Sequence, residues 1–257
     1  VLADGSAPAD GSAPDWFQVA RAAAAHVFVD DLERPSLGAD DRHHLARVLR
    51  LRAGETVSTV DGRGRWRRCT YVAGGALEPA GDVEQPVEPG PELTIGLTLT
   101  KGDRPEWAVQ KLTEIGVDRV ALLVADRSVV RWDGERVDRH LHRFREVARQ
   151  AAMQSRRLRL PVIEAPARVA EVLGHDRTAG GEHRGGIALA APGGEPLTLA
   201  LPSVLVGPEG GWSAAELELA PAVVDLGRSV LRTETAAVVA ASVLSALRHR
   251  LVYPARQ

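Results

Sequence analysis

Apolar positions change period along the chain. In the first third they mostly fall at alternate positions, which predicts strands; beyond residue 92 short apolar runs alternate with stretches of three-to-four spacing, which predicts strands and helices in turn. The run HVFVD from His26 reads as a strand. DDRHHLARVLRL reads as a helix with Asp40 or Asp41 near its cap and Leu45, Val48 and Leu49 on one face. ETVSTV and RWRRCTYV flank DGRG, a hairpin signal with Asp61-Gly62 at the turn. A mostly β module is therefore expected over residues 21–85. Before it, ADGSAP occurs twice in residues 3–14, a tract too poor in apolar surface to order itself, so residues 1–20 are expected to form a disordered tail.

The stretch AGGALEPAGDVEQPVEPGPE, with five acids and no base, is the expected linker. After it come strand LTIGLTLT, helix RPEWAVQKLTEIG, strand VALLVA, a long helix through VDRHLHRFREVARQAAM, and strand PVIEA with a short helix. Strands IALAA and SVLVG, helix SAAELELA, strand VVDLG and a last helix from about Thr233 to Leu251 complete the series. Such alternation predicts an α/β domain with a mainly parallel sheet over residues 92–257, and a ligand beyond the carboxyl ends of its strands.

Composition changes this picture only locally. The hydrophobic fraction of 44% and the charged fraction of 26% are ordinary for a globular protein, and no apolar run is long enough to span a bilayer; the expected location is the cytoplasm. The single cysteine, Cys69, excludes an internal disulfide framework and a cysteine metal cage. Cys69, Trp66 and Trp107 are expected in the core. His43, His44, His140 and His142 lack the spacing and carboxylate partners of a metal site, so no metal is expected. The net charge is only −2, yet Arg42–Arg68 holds eight arginines against Glu55 and Asp61, and Arg127–Arg159 holds ten against four acids. Lysine occurs only at 101 and 111, so the positive charge is nearly all guanidinium, suited to phosphate and to bases.

Two motifs at strand ends could carry chemistry. In LVGPEGGWSAAE, Ser213 and Glu216 form a capping box, and Gly207, Pro208, Glu209, Gly210 and Gly211 make the bend before it. Glycines let a ligand approach main-chain groups closely, as an adenine or ribose edge requires; a tight turn without a ligand reads the same. The chain has neither G-x-x-x-x-G-K-[ST] nor G-x-G-x-x-G, which favours a nucleoside over a polyphosphate. In LGRSVLRTETAAVVAASVL a strand ends at Leu226-Gly227, and Arg232, Thr233, Glu234 and Thr235 lead into an almost wholly apolar helix that Thr233 or Thr235 can cap. Thr and Glu are also common helix-start residues without any function.

These two motifs, preceded in order by HHLARVLRLRAGE, KGDRPEWAVQKLTEIGV, DRSVV and MQSRRLRLPVI, resemble the RsmE family of 16S ribosomal RNA uracil-N3 methyltransferases, in the SPOUT superfamily. Asp126 stands where that family more often has Glu, and Met153 and Arg156 lie in a segment more often written EQSGR. The resemblance implies a PUA-like RNA-binding β-barrel followed by a SPOUT α/β domain with a C-terminal trefoil knot, which nothing in the periodicity indicates. It also implies a homodimer. S-adenosyl-L-methionine would be wrapped by Gly207, Glu209, Gly210 and Gly211, by Leu226 and Gly227, and by Leu231, Arg232, Thr233, Thr235 and Ala236. The partner would be 16S ribosomal RNA or the assembled small subunit. Uracil N3 must lose a proton to be methylated, so Arg232 is assigned as stabiliser and Glu234 or Glu209 as base. RNA contacts are assigned to Arg47, Arg50 and Arg52 in the β module, and to Lys101, Arg127, Gln154, Ser155 and Arg157 in the catalytic domain. Alternatives are a SPOUT enzyme with another target, such as a transfer-RNA ribose 2′-O, or a non-catalytic RNA-binding assembly factor.

Overall fold

The computed structural model describes residues 15–100, 102–130, 132, 134–178 and 186–253. Its chain forms two compact units, one reaching to Glu88 and including Ala152–Leu160, the other comprising Pro89–Ala151 and the chain from Pro161 onward.

The first unit opens with helix α1, Asp15–Ala22, in part of the stretch expected as a tail. Its sheet runs β1 (Ala25–Phe28), β2 (Thr56–Val60), β3 (Trp66–Val72) and β4 (Ala76–Pro79), in that order. β1 pairs in parallel with β2, and the other pairs are antiparallel. The hairpin forms as expected because Asp61 Oδ1 accepts the amides of Arg63 and Arg65 and closes the turn. β4 falls inside the stretch expected as linker; Leu77 buries against Tyr71 and outweighs the local Gly and Pro content. Val27, Val57, Cys69, Tyr71 and Leu45 form one core, and Phe28, Val60, Trp66, Ala152 and Leu158 a smaller one. Trp66 and Cys69 are thus packing residues, as expected.

The helix after β1 departs from expectation. α2 spans only Ala39–His43, and His44–Val48 continues as a π-helical turn. The wider turn delays each following side chain, so Leu45 is buried while Val48 and Leu49 point outward.

The segment Ala152–Leu160 is held in this unit by His26. Its Nε2 donates to Arg157 O at 2.9 Å, which leaves Nδ1 to accept from Ser58 Oγ at 3.1 Å. Burial, aided by the charge of Arg156, lowers the His26 pKa to about 4, although the bond to Arg157 pulls it upward. Arg156 itself has φ +62, a left-handed backbone that favours glycine, and its side chain donates to Ala23 O at 3.0 Å.

The second unit is a six-stranded sheet in which every pair is parallel, ordered β10-β8-β9-β5-β6-β7. The strands are β5 (Thr94–Thr98), β6 (Arg119–Val124), β7 (Val162–Arg168), β8 (Ile187–Glu195), β9 (Ser203–Val206) and β10 (Val223–Val224). The helices are α3 (Arg104–Ile115), α4 (Gly134–Gln154), α5 (Val169–Thr178), α6 (Ala214–Leu219) and α7 (Thr233–Arg248). Its core joins Ile95, Leu97, Val120 and Leu122 of the sheet to Leu112 of α3, Phe144 of α4 and Ala237, Ala240, Ala241 and Leu244 of α7. The end of α7 is anchored by buried Arg248, which pairs with Asp118 and donates to Gly116 O at 2.6 Å. Among the described residues no helix is long and apolar enough to cross a membrane.

Candidate active site

From β5 the chain moves outward through β6 and β7, and β9 later enters on the other side of β5. The carboxyl ends of β5 and β9 therefore flank a point where the strand order reverses, the place where parallel sheets hold ligands. Three connections leave the carboxyl ends of these strands, residues 99–100 and 102–103 after β5, residues 207–213 after β9, and residues 225–232 after β10, and contacts from Arg104 and Thr233 join the elements they lead into.

The connection after β9 is fixed at several points. Ser213 and Glu216 make the capping box that the sequence predicts: Ser213 Oγ accepts the Glu216 amide, and Glu216 Oε2 accepts the Ser213 amide at 2.8 Å. Ser213 Oγ also donates to Asp126 Oδ2 at 2.6 Å, while the Asp126 amide donates to Glu216 Oε1. Asp126 and its neighbour Arg127, whose Nη1 donates to Gly210 O at 2.8 Å, thus hold this loop from the end of β6. Gly207 has a different reason than ligand approach. A Cβ there would lie 3.0 Å from the Trp212 ring, which is buried and donates Nε1–H to Ala190 O. Gly211 and Gly227 do fit close approach: φ is +68 and +113, and a Cβ on either would meet nothing within 4 Å.

Neither Thr233 nor Thr235 caps α7; Arg232 is the N-cap residue and makes no side-chain cap bond. Thr233 is buried instead, and its hydroxyl donates to Gly207 O at 2.9 Å, tying the start of α7 to the loop after β9. Thr235 is exposed and Ala236 is buried in the core. Leu226 and Leu231 pack against the same core, one on each side of an exposed bend. Asp225 secures that bend, accepting the Gly193 and Gly227 amides at 2.8 Å each; these bonds hold its pKa below the ordinary carboxylate value.

Two of the three residues assigned to chemistry, Glu209 and Glu234, meet through one that the sequence reading missed. Arg104, the first residue of α3, places Nη1 3.4 Å from Glu209 Oε1 and Nε 3.7 Å from Glu234 Oε1. It bridges a carboxylate on the β9 loop to a carboxylate on α7. Its signal was present in KGDR, directly after a predicted strand at the switch point. Glu234 is buried, and its Oε2 has no hydrogen-bond partner among the described residues. Glu209 is exposed. Arg232 is also exposed.

Of the residues assigned to RNA, Arg47, Arg50 and Arg52 are exposed in the first unit. Gln154, Ser155 and Arg157, expected in the catalytic domain, belong to the first unit instead, because the bend after α4 packs with β1. Lys101 lies outside the described residues. Trp107, expected in the core, is 44% exposed on α3, one turn beyond Arg104.

The family model of the RNA methyltransferase domain matches residues 88–245, and that of the RNA methyltransferase PUA domain matches residues 37–76. Ribosomal RNA small subunit methyltransferase E of Mycobacterium bovis is 36% identical over 251 residues, covering 87% of this chain and 92% of that protein. A probable rRNA-methyltransferase of Porphyromonas gingivalis superposes with a TM-score of 0.73 at 27% identity, covering 89% of this chain and all (100%) of that one. A methyltransferase of Legionella pneumophila, solved with bound S-adenosylmethionine, superposes with a TM-score of 0.71 at 25% identity, covering 86% of this chain and 97% of that one.

Proposed function

The chain belongs to the ribosomal RNA small subunit methyltransferase E family, and we propose that the atom it methylates is N3 of a uridine in 16S ribosomal RNA. It is an S-adenosylmethionine-dependent enzyme acting on small-subunit ribosomal RNA. The reading at N3 is carried by one observation: Arg104 gathers Glu209 of the β9 loop and Glu234 of α7, the helix that Arg232 begins as N-cap residue.

The residues present fit the cofactor. Open space beside Gly211 and Gly227 leaves their main chain accessible, and the unpartnered Oε2 of buried Glu234 offers an acceptor at a site rich in acid. When bound, S-adenosylmethionine supplies an electrophilic methyl group on a cationic sulfur. Residues 207–211, 226–227 and 231–236 would hold it, with Thr233 and Arg127 fixing the loops in place. The chain's own task is the proton. Glu234 Oε2 accepts the N3 proton, and Arg232 balances the negative charge that then spreads to the uracil oxygens. Glu209, nearer solvent, is the second candidate acceptor. Arg104 is a positioning residue that keeps both carboxylates aimed inward.

Because N3 lies on the Watson–Crick edge, the uridine enters unpaired or flipped. Arg47, Arg50, Arg52, Lys101, Arg127, Gln154, Ser155 and Arg157 grip the surrounding strand. The same reading includes a trefoil knot in residues 92–257, a β-barrel in the PUA-like unit, a homodimer and action in the cytoplasm. The match of residues 37–76 to an RNA methyltransferase PUA domain supports the PUA-like unit. For the dimer the support is the outer side of α7 and its extension, where Val243, Leu251, Val252 and Tyr253 are exposed.

Single-turnover methylation tests the catalytic assignment. Arg232→Ala and Glu234→Gln should each slow the step about a hundredfold at saturating S-adenosylmethionine, where a change in cofactor affinity does not enter the rate. Rates equal to wild type in both would remove these residues from the chemistry.

A further inference from the structure

The π-helical turn His44–Val48 builds a surface that the arginine assignments alone do not explain. In a regular helix Leu45, Val48 and Leu49 would share one buried face. Here the Leu49 amide bonds five residues back to His44 O at 2.9 Å, and the phase slips. Leu45 keeps its place in the core, whereas Val48 is 61% and Leu49 45% exposed, side by side. The next residue, Arg50, has φ +54, a conformation that a non-glycine residue adopts only when its surroundings impose it. Arg47, Arg50 and Arg52 flank the apolar pair and are exposed. The nearby carboxylate of Glu55 is occupied by the Arg52 amide.

We infer that Val48 and Leu49 form a nucleobase contact, taking the face of an unpaired base of the substrate RNA while Arg47, Arg50 and Arg52 hold the phosphates around it; this rests on the methyltransferase reading above. Three exposed guanidinium groups suit a polyanion. The apolar pair between them has nothing to meet on a phosphate and something to meet on an unstacked base. A duplex hides its base faces, so the surface selects single-stranded RNA. The π turn is the device that turns these two side chains outward without unseating Leu45.

The test uses the full chain with two probes, labelled oligouridylate and the same strand annealed to oligoadenylate. Val48→Ser with Leu49→Ser removes two exposed side chains and leaves Leu45 in the core. It should weaken single-strand binding about tenfold at every salt concentration, leaving duplex binding and the salt slope unchanged. Arg47→Gln with Arg50→Gln and Arg52→Gln should weaken both probes and flatten the slope. Single-strand affinity equal to wild type in the serine variant overturns the inference, as does a loss of affinity accompanied by a shifted oligomeric state in sedimentation. S-adenosylmethionine binding, measured by calorimetry, separates the two levels: its absence in wild type would overturn the methyltransferase reading, and its presence beside unchanged RNA binding would overturn only the base contact.

Discussion

Arg104 stands between two carboxylates that would otherwise repel each other, and its separations from them, 3.4 Å and 3.7 Å, are loose enough for either to move toward a ligand. Because both Arg104 and Glu209 are substantially exposed, water screens the pair and its worth to stability is small. Its worth to function lies in aim. Arg104→Gln should leave the thermal midpoint within a few degrees of wild type but lower kcat about a hundredfold, the cost of misplacing catalytic groups by about 1 Å. Arg104→Lys should recover part of that loss, since a cation returns without the fork that spans both acids. A kcat unchanged in Arg104→Gln would reduce the residue to a surface ion pair.

At the scale of elements, the bend after α4 and the strand β1 are locked together by His26. The ring is neutral in the folded chain because burial lowers its pKa from 6.5 to about 4. The unfolded chain therefore takes up the proton first as pH falls, so this contribution is present above pH 6.5 and is lost as pH falls toward 4. Across that window the first unit should lose about 3 kcal/mol through this group. The urea midpoint measured at pH 7 and at pH 4.5 should fall less in His26→Gln than in wild type; equal falls would mean that His26 does not carry the dependence. Most of the elements themselves were legible in the sequence, because period-two and period-three-to-four patterns report which face is buried. The capping box at Ser213 and the turn at Asp61 were legible for the same reason, each being a local bond between named groups. Three features were not. The π turn depends on one backbone bond that leaves no mark on residue type. β4 pairs along Cys69–Val72 of β3, with Leu77 opposite Tyr71, a partner that the local Gly and Pro content does not reveal. The place of Ala152–Leu160 depends on His26, more than a hundred residues away.

For the whole molecule, the order of strands decides where chemistry can occur, and the sequence shows strands without their order. Gly207, Glu209 and Gly211 were readable as a loop at a strand end, and Arg232 and Glu234 as a helix start. That the two meet was known only through family resemblance until Thr233 was found bonded to Gly207 O. Arg104 was overlooked because it is one of many arginines, singled out only once β5 and β9 lie side by side. The arrangement as a whole makes one central claim, that a proton is removed from uracil N3 beside a bound methyl donor. Nucleoside mass spectrometry of small-subunit RNA, treated with this protein and methyl-labelled S-adenosylmethionine, tests it most directly. The account predicts one labelled nucleoside, N3-methyluridine, formed by wild type and nearly absent with Glu234→Gln. Label on a ribose 2′-oxygen, or on no nucleoside of the small-subunit RNA, would contradict it.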